Sequence, residues 1–85
     1  MNRKEQIAIS ILKNLELSNG RMMREEILHR IVMLELAHLR VSTTEIRAAL
    51  ETAEAAGKVA SDRDDYGNVS FVLTSAGKAE LLARG

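Results

Sequence analysis

Few residues in this chain combine reactive chemistry with useful spacing. His29 and His38 are the only histidines. If both sat on one helix, their separation would be about 2.5 turns, which places the imidazoles on opposite faces and excludes a shared metal. Asp62, Asp64 and Asp65 crowd one short segment ahead of Gly67, but the alternating acidic pattern and terminal glutamate of a calcium loop are missing. These aspartates read as a charged turn. There is no cysteine, so neither a disulfide nor a thiolate site exists. No serine, histidine and carboxylate arrangement suggests nucleophilic catalysis, and no glycine-rich loop suggests a nucleotide. The chain is expected to be no enzyme and to carry no cofactor and no metal.

What remains is charge. The formal net charge is zero over 85 residues, which weighs against a polyanion partner. The sum hides an asymmetry. Met1 to Arg24 carries five basic and two acidic residues, whereas Thr43 to Gly57 carries Arg47 against Glu45, Glu51 and Glu54. Tyr66 and Phe71 are the only aromatic residues, too few for a surface that stacks single-stranded bases. No apolar run reaches the roughly 20 residues of a membrane span, and the N-terminus lacks a signal-peptide core. A single soluble, cytoplasmic domain is expected, with no membrane partner.

The elements follow from periodicity and punctuation. Asn2 can cap a helix over about 3–15, with Ile7, Ala8, Ile11, Leu12 and Leu15 in one stripe. Ile9 falls on the other face, either as a lone exposed side chain or as a dimer contact. Asn19-Gly20 makes a turn, and Arg21–Met23 is a short extended segment. A second helix over about 24–38 places Ile27, Leu28, Ile31, Val32 and Leu39 together. Glu35 intrudes on that stripe, so the helix ends or bends near Leu34, or Glu35 meets a basic partner. Ser42 with Glu45 three residues later forms a capping box for a helix over about 43–56, and Gly57 stops it. Strands are predicted over about 58–61 and 69–73, joined through Gly67-Asn68. Thr74 caps a last helix over about 75–83, anchored by Leu81 and Leu82 and weakened by Gly77.

Two segments carry a resemblance. Val41-Ser42-Thr43-Thr44-Glu45-Ile46-Arg47-Ala48-Ala49-Leu50 leads to Ala56-Gly57-Lys58-Val59. Phe71-Val72-Leu73-Thr74-Ser75-Ala76-Gly77 leads to Leu81-Leu82. In order and spacing they resemble the winged helix-turn-helix superfamily, and the chain's size is similar to small prophage-encoded members. The implied fold is α+β and mainly α: three helices, a β-hairpin wing and a C-terminal helix. Two features depart from the pattern. The second helix is long, and Ala53 stands where the family has a bulky leucine.

The resemblance implies a partner and a face. The third helix would enter the major groove with Ser42, Thr43, Thr44 and Arg47 at its leading end. Arg47 can pair bidentately with guanine, and the threonines can meet phosphate or a thymine methyl. Arg21, Arg24, Arg40 and Lys58 are further phosphate candidates, and Arg63 is the basic residue of the wing. The plain alternative is that the threonines only start a helix and Arg47 pairs with Glu51 one turn on. Double-stranded DNA is the expected partner of a transcriptional regulator. Another protein is the alternative, because helix three and the wing are acidic. A homodimer would form through helix 1, helix 2 or the C-terminal helix.

Overall fold

The computed structural model describes residues 1–84. In chain order it contains α1 (Arg3–Leu17), β1 (Met23–Arg24), α2 (Glu25–Glu35), a single 3-10 turn (Ala37–Leu39), α3 (Thr43–Ala55), β2 (Val59–Arg63), β3 (Val69–Leu73) and α4 (Ser75–Arg84). The fold is α+β and mainly helical. Its three strands form one antiparallel sheet in the order β1-β3-β2.

Local chemistry sets the helix ends. The Asn2 side chain accepts from the amide of Glu5 at 2.8 Å and starts α1. Ser42 and Glu45 form a full capping box at α3, each side chain bonded to the other's amide. At the far end of α3 the amides of Gly57 and Lys58 reach back to the carbonyls of Glu54 and Ala53. That pairing needs a left-handed residue, and Gly57 supplies it at φ +75°.

The core is one cluster under all four helices and the sheet. Ile7, Ile11 and Leu15 of α1 meet Leu28 and Val32 of α2, Ile46 and Leu50 of α3, and Val59 and Phe71 of the sheet. α2 is shorter than the expected 24–38, and of the alternatives for Glu35 the helix end near Leu34 is the one found. Arg24 belongs to β1, and the helix ends at Glu35, short of 38. Leu36 leaves helical geometry and is buried. Glu35 ends its turn against α1, where it accepts from the Ser10 hydroxyl at 2.8 Å and the Asn14 amide at 3.4 Å. Its partners are therefore neutral donors rather than a basic side chain. Ile27, expected on the apolar stripe, is exposed, and so is Leu34.

Other expectations shift in smaller ways. α1 runs two residues further, to Leu17, α3 ends at Ala55, and α4 extends to Arg84. β2 starts after Lys58 and continues to Arg63, paired with Val69. Ile9 is half-buried and Leu82 is exposed, so of the two leucines only Leu81 anchors α4. Gly77 is a requirement rather than a weakness. It is buried, and a Cβ there would overlap the carbonyl oxygen of Lys58. The N-terminus of α4 docks on this segment. The Thr74 hydroxyl donates to the Gly57 carbonyl at 2.6 Å and accepts from the Gly77 amide at 3.1 Å.

Candidate functional site

The first turn of α2, the outward side of α3 and the β2–β3 hairpin enclose a concave face of about 570 Å³. Arg24 from β1, Arg47 from α3 and Arg63 from β2 all line it. The sequence separates these arginines by 23 and 16 positions, and the packing of α3 beside the sheet places all three along this concavity. Four carboxylates share the face: Glu25, Glu26, Glu51 and Glu54. Their placement differs. Glu26 lies 3.8 Å from Arg24, and Glu54 accepts from the Ser61 hydroxyl of β2.

Arg47 does not pair with Glu51. Its Nε donates to Oε2 of Glu25 at 3.0 Å, across 22 positions of sequence. The Glu25 side chain is only 15% exposed, whereas that of Arg47 is 66% exposed. Glu25 also sits in the first turn of α2, where the helix dipole favours a carboxylate. The next turn of the same helix places His29 against it. His29 is buried, and its Nε2 lies 3.0 Å from Glu25 Oε2 but off the line of a hydrogen bond, so that nitrogen has no partner. Burial holds the His29 pKa below its ordinary value, and Arg47 adds to that effect while Glu25 opposes it.

The remaining expected residues fall around this face or away from it. Thr43 and Thr44 are exposed at the start of α3, and Ser42 is committed to its cap. Arg21 is exposed ahead of β1. Arg40 is exposed in the α2–α3 connection, with a left-handed backbone at φ 51°. Lys58 lies elsewhere. It pairs with Glu80 of α4, which also binds Arg84. The basic N-terminus is likewise not idle. Arg3 holds Glu45 through two contacts of 2.6 and 3.0 Å and reaches the Arg40 carbonyl at 3.3 Å.

The hairpin tip is ordered from within. Asp64 accepts from the amides of Tyr66 and Asn68, each at 2.9 Å, and from the Asn68 side chain at 3.1 Å. Those bonds, that of the Asn68 amide foremost, lower its pKa, and nearby Arg24 acts in the same direction. One of the three wing aspartates is therefore structural. Sequence reasoning could have found it, since an aspartate two residues ahead of Tyr66 in Asp-Asp-Tyr-Gly-Asn can close the turn with its side chain.

Acidification tests this electrostatic arrangement in two stages. His29 is lowered from 6.5, so below that value the unfolded chain binds a proton that the native chain refuses. Stability is full above about pH 6.5 and falls below it. Glu45 is drawn down from 4.5 to about 2, chiefly by its hydrogen bond from Arg3. Its contribution is present above 4.5 and is lost as pH falls towards 2. Urea melts across pH should show both losses, and His29→Gln should remove the first. A midpoint that stays flat between about pH 7 and 5.5 contradicts the His29 assignment.

A second concavity of about 400 Å³ lies between α1 and α3, where Ala49, Ala53 and Ala56 face Ala8 and Ile9. Among the described residues, no three His, Cys, Asp or Glu side chains gather to hold a metal ion. Among the described residues, no helix is long and apolar enough to cross a membrane. No protein-family model matches this chain, and neither a curated protein nor a solved structure gives a match.

Proposed function

We propose that this chain is a small winged helix-turn-helix protein that binds double-stranded DNA, acting in the cytoplasm as a transcriptional regulator. The observation that carries the reading is the convergence of Arg24, Arg47 and Arg63 on one concave face beside the exposed start of α3. In this reading α3 is the recognition helix, with Thr43, Thr44 and Arg47 at the base edges. Arg24 and Arg63 flank it and meet phosphates, and β2–β3 is the wing. Arg21 and Arg40 are exposed and serve as further phosphate contacts in this reading. The order of elements, with β1 completing the sheet beside β3, supports the reading.

Fluorescence anisotropy with a labelled duplex of mixed sequence tests it. Binding is expected at low salt and should weaken steeply as salt rises, with Arg47→Ala falling mainly on sequence preference. Absence of binding to any duplex at low salt would sink the proposal.

A second reading is favoured by α2. Ile27 and Leu34 lie seven residues apart, so they share a face, and they are 43% and 73% exposed. Under this reading the domain docks another protein or a second copy of itself through that face. Of the three helices expected to mediate a dimer, α2 has the strongest case. Sedimentation should then show self-association or a stable complex that Leu34→Glu abolishes. If the wild-type chain and Leu34→Glu sediment identically, alone and with any captured partner, this face plays no such part.

A further inference from the structure

We propose that Glu25 is a positioning residue that sets Arg47 to read a guanine, an inference that rests on the DNA-binding reading above. Glu25 takes only the Nε edge of the guanidinium. Among the described residues, neither Nη of Arg47 has a hydrogen-bond or ion-pair partner. A guanidinium is planar with five donors in a fixed fork. Tying down Nε therefore orients the plane and leaves the end-on edge, one N–H from each Nη, unengaged. Those two groups can donate to O6 and N7 of one guanine.

The clamp itself is rigid. Glu25 lies in the first turn of α2, is mostly buried, and stands against His29. An arginine on an exposed helix face otherwise samples many rotamers, and ordering it on binding costs affinity. Glu25 removes part of that cost in advance, but only for one orientation. Its negative charge also repels phosphate, so the same residue should lower affinity for DNA in general. A purely structural ion pair would not link these two effects with opposite signs.

Selection from a random-sequence duplex pool supplies the probe, because no target needs to be known. The wild-type chain should enrich sites with one fixed guanine, and changing that guanine to adenine should weaken binding by about tenfold or more. Glu25→Gln should cut that discrimination to about threefold or less, while binding a mixed duplex at least as tightly as wild type. Glu25→Asp keeps the charge but withdraws it by one methylene. It should also lose discrimination, without the gain in general affinity, and it carries the test if the Gln variant fails to fold. Arg47→Lys should abolish the guanine preference, because an ammonium has no fork. If both Glu25 variants discriminate as wild type does, or if no guanine is enriched, the positioning role is overturned while DNA binding stands. If the pool yields no bound duplex at low salt, the DNA reading itself falls, and this inference falls with it.

Discussion

Gly77→Ala is expected to destabilise the fold by about 3 kcal/mol, the upper end of the range for overpacking a filled site. Intrinsic helix propensity predicts the opposite sign, since alanine gains about 1 kcal/mol over glycine inside a helix. Contact geometry decides between them. A Cβ on Gly77 would overlap the Lys58 carbonyl oxygen and stand 2.6 Å from Leu73 Cδ1. The leucine tip can move, but the carbonyl cannot move freely, because it accepts from the Thr74 amide at 3.1 Å. Relieving the clash means lifting the first turn of α4 off the α3–β2 connection and losing the Thr74 bonds with it. For a domain of this size the expected fall in melting temperature is about 15 °C. A variant that melts at or above the wild-type temperature would show that α4 docks differently.

The second large effect concerns the concave face. Replacing Arg24, Arg47 and Arg63 together by alanine should weaken duplex binding by about a hundredfold or more at moderate salt. Arg24 and Arg63 are assigned to phosphates, so their loss should act alike on every sequence and flatten the salt dependence by about two units of slope. Arg47 is assigned to a base, so its loss should fall mainly on preference. None of the three side chains is in the core, and all are exposed. The triple variant should therefore stay folded, losing only what the Arg47–Glu25 pair contributes, and its melting curve separates a binding defect from a folding one. Three arginines that change neither affinity nor slope would remove the basis for treating this face as a DNA surface.

The readable and the hidden parts of the chain divide by range. Ser42 with Glu45, Gly57 and Gly67-Asn68 act within a few residues, and each was legible because the partner groups are sequence neighbours. β1 was half legible. Arg21–Met23 was expected to be extended, but pairing of Met23 and Arg24 with Phe71 and Ser70 joins segments over 40 residues apart. The break in α2 near Leu34 was legible, but the partners of Glu35 were hidden for the same reason. Glu35 looked like an intruder on an apolar stripe because Ser10 and Asn14 lie on another helix.

The site was hidden most of all. From sequence, Arg47 had Glu51 as its obvious partner, since a helix brings residues four apart together. The packing of α2 on α3 offers Glu25 instead, already fixed by burial and by its place near a helix N-terminus. Arg3 offers a parallel case. Reading charge by segment placed the basic N-terminus far from α3, yet Arg3 lies against the first turn of that helix through Glu45. Gly77 was misjudged because propensity describes a helix alone, and its constraint comes from a carbonyl 19 positions earlier.

The most direct measurement is the affinity of the intact chain for a duplex of about 20 base pairs across a salt series, the two assigned phosphate contacts setting the expected slope. With Arg24 and Arg63 on phosphates, a plot of log K against log salt should fall with a slope of about −2 or steeper. No binding at the lowest salt, or an affinity that does not change with salt, would contradict the account.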